Sequence, residues 1–338
     1  MTHTRRRLFT LLMPAALTLL ASAARAQQPD SAELYRKLME HRSEMSSRSV
    51  DETQKRRFEE GKSDSSFPSD AHKAAGKPGV LRAVSPEEQK ALKHNERGLD
   101  LFSKGKLEQA VKEYEEAIRA YPALAAAHNN LGSAHFAAGR FDEAGAAFRR
   151  AFELDPAYGQ AYFNLALVHI KLGREKEANE ALTAAVRAYS AAGEEHLKAG
   201  RLAEAEESFR AILQIDPADA PALLHLGMVY NAARRFDEAA PQLQHAAERQ
   251  PANAEAHAAL AEALIGLSKY DEAAAAAERA LKLTPDSPDA HYLAGLARAS
   301  LGQRDAALAH LDKLKQLNSP DYARQLSDLI DKKAPAKQ

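Results

Sequence analysis

One alanine recurs along this chain like a mark on a ruler: Ala110, Ala144, Ala178, Ala205, Ala239, Ala273 and Ala307. The steps between neighbours are 34, 34, 27, 34, 34 and 34 residues. Around the marks lie "GKLEQAVKEYEEAIRAYP", "GRFDEAGAAFRRAFELDP", "GRLAEAEESFRAILQIDP" and "RRFDEAAPQLQHAAERQP". Each copy holds two helical stretches and most end on a proline: Pro122, Pro156, Pro217, Pro251, Pro285. A unit this short cannot bury its apolar face alone, so copies must stack on one another. That requirement excludes most architectures before any other residue is read.

Glycines raise a second constraint. Gly98, Gly132, Gly193, Gly227 and Gly295 fall inside helical stretches, where each costs about 1 kcal/mol relative to alanine. A recurring cost needs a recurring return, and close approach of two helix axes supplies one.

The pattern resembles the tetratricopeptide repeat family, whose signature runs W-x2-L-G-x2-Y, then A-x3-F, then P. The resemblance covers seven copies, from about residue 91 to 318. It implies an all-α fold, a right-handed α-solenoid of helix–turn–helix repeats with a C-terminal capping helix. In that register the glycines take position 8 and the ruler alanines the facing position 20. Tyr114, Phe148, Leu182, Phe209, Leu243 and Leu311 are the large partners at position 24. Repeat six departs, with Ala277 there inside "DEAAAAAERA", and is expected to be thinly packed.

The 27-residue step removes a turn and its proline while both flanking patterns survive. One continuous helix from about Arg174 to Ala199 is the simplest solution; a break at Ser190–Gly193 is the rival. The expected division is therefore 85–190 for repeats one to three and 191–318 for repeats four to seven. A capping helix over 319–333 follows, with Tyr322, Leu326, Leu329 and Ile330 on one face.

The N-terminal part is different material. Residues 1–26 have a basic start (Arg5, Arg6, Arg7), an apolar run from Leu8 to Leu20 and Ala24-Arg25-Ala26. That layout predicts a secretory signal cut after Ala26, and so an exported, periplasmic protein with no membrane insertion after cleavage; the rival is an uncleaved anchor, against which stand the short apolar run and Pro14. Cleavage would take away four arginines and no acid, moving the net charge from −1 to −5. Residues 27–84 are Ser-rich, charged and poor in aliphatics, which predicts a low-complexity, largely disordered linker. "VSPEEQKAL" then marks a helix start, with Ser85 as N-cap.

Chemistry is scarce. There is no cysteine, and the net charge of −1 carries no basic footprint for nucleic acid. Of the 13 histidines, His94, His128, His257 and His291 take position 4, and His135, His169 and His196 take position 11. These are aromatic packing slots of the family, so the reading is structural, with no metal and no cofactor. The acids of "FDEA" and "YDEA" stand at second-helix starts as caps and first-turn charges, not acid–base pairs. No enzyme constellation is present.

The resemblance implies a concave groove lined by positions 2, 5, 6, 9, 12 and 13 of the first helices. Carried across, the expected peptide-binding residues are Asn95, Asn129, Asn130, Ser133, Phe136, Phe163, Asn164, Leu167 and Lys171. Asn130 and Asn164 would bridge a ligand backbone, since a carboxamide both donates and accepts; they should be partly exposed. A second groove is expected around Leu224, His225, Met228 and Asn231, turning acidic at Glu255 and Glu262. The cationic clamp of family members that hold chaperone C-terminal carboxylates is absent, its first lysine being replaced by Asn95. The implied function is an exported non-catalytic scaffold binding protein or peptide partners. The alternative is a structural or assembly component of an envelope or secretion complex, using its convex face or N-terminal tail. The oligomeric state is not encoded in any pattern found.

Overall fold

The computed structural model describes residues 85–332. The signal segment 1–26 with its cleavage after Ala26, the linker 27–84 and the last residues of the chain lie outside the described residues. Among those described there are fourteen helices and no strand: α1 (Pro86–Ser103), α2 (Leu107–Ala120), α3 (Ala125–Ala137), α4 (Phe141–Leu154), α5 (Gly159–Lys171), α6 (Glu175–Lys198), α7 (Leu202–Ile215), α8 (Ala220–Ala232), α9 (Phe236–Arg249), α10 (Ala254–Gly266), α11 (Tyr270–Leu283), α12 (Pro288–Ser300), α13 (Arg304–Gln316) and α14 (Pro320–Lys332). They pack as consecutive pairs, each second helix lying between the first helices before and after it. First helices also touch first helices of neighbouring repeats: α3 on α5, α8 on α10 and α10 on α12. The first helices therefore form the inner wall of an α-solenoid.

The turn inside each pair follows one rule. Its position-15 residue takes a left-handed backbone in all seven repeats: Gly105, Gly139, Gly173, Gly200 and Gly302 near φ +70°, and Arg234 and Ser268 at φ 59° and 58°. Glycine adopts that conformation without a Cβ penalty, and the two non-glycines do not.

Position 8 repays its cost as expected. A Cβ on Gly98 would stand 2.4 Å from the Tyr114 ring, on Gly132 2.7 Å from Phe148, on Gly193 2.8 Å from Phe209 and on Gly227 2.4 Å from Leu243. Gly295 differs: its missing Cβ makes room for Leu326 of α14, at 2.4 Å. The C-terminal helix is thus keyed into the last repeat, with Leu326 and Ile330 buried.

Between repeats three and four the chain does not turn. Helix α6 runs without interruption for 24 residues, about 36 Å at the α-helical rise. Ser190 stands where a loop proline would be, and nothing there removes a backbone N–H. Its first half serves as a second helix under α5 and its second half as a first helix over α7. The expected boundary at 190/191 falls inside this helix, and the described residues from Lys90 onward form a single compact unit. The largest core cluster runs from Ala205 to Ala297 and draws in Val186 and Tyr189 of α6.

In repeat six the second helix, α11, buries five alanines and no larger side chain: Ala273, Ala274, Ala276, Ala277 and Ala280. One expectation about helix starts needs correcting. The N-cap residues of the "DEA" helices are Arg140, Arg235 and Lys269, none with a side-chain cap. The acids occupy the first turn, where they meet the helix dipole, and Glu238 also accepts from the Arg235 guanidinium at 2.6 and 2.7 Å. Side-chain caps occur on first helices instead, from Asp219, Asn253 and Ser287.

Candidate functional site

Most histidines at the two repeat positions are tied to neighbouring groups of the fold. At position 4, the Nε2 of His128, His257 and His291 lies 2.9–3.0 Å from the carbonyl of Pro122, Pro251 and Pro285, tying a first helix to the preceding loop. At position 11, His135 and His196 accept at Nδ1 from the Nε of Arg140 and Arg201, at 3.0 and 2.8 Å. The same arginine slot stacks on Tyr230 in repeat five, Arg235 lying 4.4 Å from the ring centre. Burial is the main cause of the lowered pKa at His128, His135 and His169. Among the described residues no group of three or more His, Asp or Glu is placed to hold a metal ion.

The inner wall of repeats one to four is organised by carboxamides, but not in the way the sequence suggested. Asn130 Nδ2 donates to Asn95 Oδ1 at 3.0 Å, and Asn164 Nδ2 donates to Asn129 Oδ1 at 2.8 Å. Gln160 Nε2 donates to Asn164 Oδ1 at 3.1 Å, and the Tyr189 hydroxyl donates to Gln160 Oε1 at 3.0 Å. Asn129 also bonds Tyr158, whose hydroxyl is pushed up to about 12, by burial first and the Asp155 charge second. The result is a ladder of neutral polar groups joining α1, α3, α5 and α6.

This overturns part of the expected site. Asn164 is 1% exposed, Asn129 5%, Ser133 8%, Phe136 3% and Leu167 5%. None can be the partly exposed ligand contact proposed for it. The reason is that first helices pack sideways on one another as well as on their second helices, so many inward positions are covered by the next repeat. Ser133 is spent locally, its Oγ donating to the Asn129 carbonyl at 3.1 Å. Phe136 packs edge-on against Phe141 with ring centres 5.4 Å apart. In the second groove, Leu224 and Asn231 are buried for the same reason.

The surface that remains open is narrower. Asn95, Asn130 and Phe163 are half-buried and Lys171 is exposed; His225 and Met228 are half-buried. His225 stacks on Phe209 with ring centres 5.0 Å apart, so one of its faces is occupied. A residue missed from the sequence joins them: Ile170, at inward position 12 of α5, is 42% exposed. Phe136 holds the same position in α3 and is buried, so the repeat register alone could not mark Ile170. The outer side has its own apolar feature. Leu283, 40% exposed, edges a pocket of about 400 Å³ with Ala247, Pro251, His257, Arg279 and Lys282.

Two family profiles, each described as tetratricopeptide repeat, match the chain, one over 95–158 and 258–322, the other over 135–192 and 196–263. No curated protein matches it. Among solved structures, it is similar to the APC/C hetero-tetramer Cut9–Hcn1, at 22% identity and a TM-score of 0.40, over 74% of this chain and 47% of that one. The chain thus spans about half the length of that relative. It is also similar to YrrB, described as a TPR protein with an unusual peptide-binding site (23% identity, 64% of this chain, 97% of that one, TM-score 0.34). A third is the second TPR of Spaghetti bound to an HSP90 peptide (28% identity, 29% of this chain, 91% of that one, TM-score 0.29).

Proposed function

The chain belongs to the tetratricopeptide repeat family, and from that premise we propose that it is a non-catalytic scaffold that binds protein or peptide segments along its concave first helices. The observation that carries this reading is Ile170. A large aliphatic left 42% exposed at an inward position supplies contact area for a partner. Half-buried Phe163 and Asn130 lie on the same wall. Together they offer apolar contact area with a carboxamide edge, suited to an extended segment or a helix. The basic start and apolar run of residues 1–26 support an exported location, tested by the N-terminal sequence of the mature protein, expected to begin at Gln27.

The test is capture of the native partner by in-cell crosslinking. Phe163→Glu with Ile170→Glu should abolish capture, while Leu283→Glu on the outer side should leave it intact. The reverse pattern would support the second reading, an assembly component that uses its convex face. That reading is favoured by one observation, the open Leu283 beside Arg279 and Lys282.

A further inference from the structure

On the outer side, one repeat position has lost the large side chain that its counterparts keep. Position 28, near the end of each second helix, holds Ile118, Phe152, Val186, Leu213 and Leu281 in repeats one to four and six. In repeat five it holds Ala247. What a ring does there is visible between repeats two and three. Phe152 stacks on Tyr162, at position 4 of the next first helix, with ring centres 4.2 Å apart and planes 12° from parallel. Between repeats five and six the same two positions are Ala247 and His257, and both line the pocket of about 400 Å³. The pocket lies where a position-28 ring would stand against a position-4 ring.

The walls of this slot are fixed and apolar. The His257 ring is held by the Pro251 carbonyl, 3.0 Å from its Nε2. Pro251 and Leu283 line the same space, and Leu283 is left 40% exposed. An unfilled slot forgoes the dispersion contacts that Phe152 makes in its own repeat. The charge around it is mainly positive. Arg279 and Lys282 of α11 also line the pocket, and both are exposed. Among the described residues neither takes part in an ion pair, the nearby acids Glu278 and Asp286 being engaged by Arg298 and Lys313. The one acid of the lining, Glu248, accepts from Gln244 Nε2 at 2.7 Å. Two positive charges thus stand against one negative.

We propose that this pocket binds an acidic segment of a protein partner through one aromatic side chain, its ring seated against His257 as Phe152 is against Tyr162, its flanking carboxylates meeting Arg279 and Lys282. The inference does not rest on the concave reading; it gives the outer side a site of its own. A ring inserted there buries apolar area on Ala247, Pro251 and Leu283 and stacks on the imidazole. Guanidinium and ammonium groups without internal partners are open to carboxylates beside that ring. A basic segment would bring like charge onto Arg279 and Lys282.

The test uses the full chain and three capped pentapeptides, DDFDD, DDADD and KKFKK, followed by titration calorimetry at low and physiological salt. DDFDD is expected to bind, DDADD to bind at least about tenfold more weakly for want of the ring, and KKFKK not to bind. Ala247→Phe restores the residue of repeat two, so it should block DDFDD while keeping or raising the melting temperature. Arg279→Gln with Lys282→Gln should weaken DDFDD about fivefold at low salt and less at physiological salt, with the melting temperature unchanged. Phe163→Glu with Ile170→Glu, on the inner wall, should leave DDFDD binding as it is. The proposal is overturned if DDFDD does not bind, if DDADD or KKFKK binds as well, or if a folded Ala247→Phe chain binds DDFDD like the parent. Should Ala247→Phe unfold, the peptide comparison and the charge variant still decide. Sedimentation velocity checks the other occupant: a self-associated parent that Ala247→Phe turns into monomer would give the slot to a second copy and overturn the assignment. If DDFDD fails while Phe163→Glu with Ile170→Glu abolishes partner capture, the concave reading stands and this site alone falls.

Discussion

Replacing Asn164 by alanine should destabilise the array around α3 and α5 by about 2–3 kcal/mol, counting one buried group left unpaired, one weaker bond lost and a small gain in helix propensity. Asn164 is 1% exposed and engaged at both ends of its amide. Removing it leaves Asn129 Oδ1 without its 2.8 Å donor in a place water does not reach. Gln160 is half-buried, so its freed Nε2 can turn to solvent and costs less. Asn130→Ala is the comparison. Its carboxamide is half-buried and its partner Asn95 is half-buried too, so water replaces what is lost and the cost should stay under about 1 kcal/mol. A long repeat array need not unfold in one step, so the assay is native-state hydrogen exchange, read separately on α3–α5 amides and on α12–α14 amides. Protection should fall in α3–α5 with Asn164→Ala and hold in α12–α14. An Asn164→Ala effect equal to or smaller than that of Asn130→Ala would refute the carboxamide ladder as a structural element.

Ser190→Pro should cost about 3 kcal/mol or more, because α6 is continuous and proline there removes a hydrogen bond and clashes with the preceding turn; retention of the parent melting curve would mean the helix is broken. Ser268→Gly should stabilise by about 1 kcal/mol by relieving a left-handed non-glycine residue at φ 58°, measured by denaturant midpoint. Burial, then the neighbouring His291, holds the His310 pKa below its ordinary value. His291 Nε2 faces the Pro285 carbonyl and so carries its proton, which leaves His291 Nδ1 to accept from His310 Nδ1 at 3.1 Å. A histidine with a depressed folded pKa contributes stability that is full above the unfolded value and is lost as pH falls through that value toward the folded one. Melting temperature should therefore drop between about pH 7 and 5.5, just below the ordinary histidine value. His310→Glu should flatten that drop, since the first repeat pairs His94 with Glu113 in this way at 2.8 Å.

Periodicity made the fold legible because each repeat position has one local environment. Position 8 must admit a neighbouring side chain, and Gly132 against Phe148 shows the sequence-level argument holding at atomic distance. The seven-residue loss before Ala205 made a continuous α6 the simplest solution, but Gly193 left a break open, and only the fold, with Gly193 packed against Phe209, decided for continuity. Exposure on the inner wall was not legible. Asn130 and Asn164 share position 6, yet one faces a half-open edge and the other is sealed, because burial there depends on how the next repeat leans across it. Phe136 and Ile170 share position 12 and part for the same reason. The stack of Tyr292 on Tyr322 joins residues of α12 and α14, and the Asn231–Glu262 contact joins α8 to α10. Local sequence sets what each helix is; only the rotation of one repeat against the next decides which polar groups meet each other and which are left for a partner.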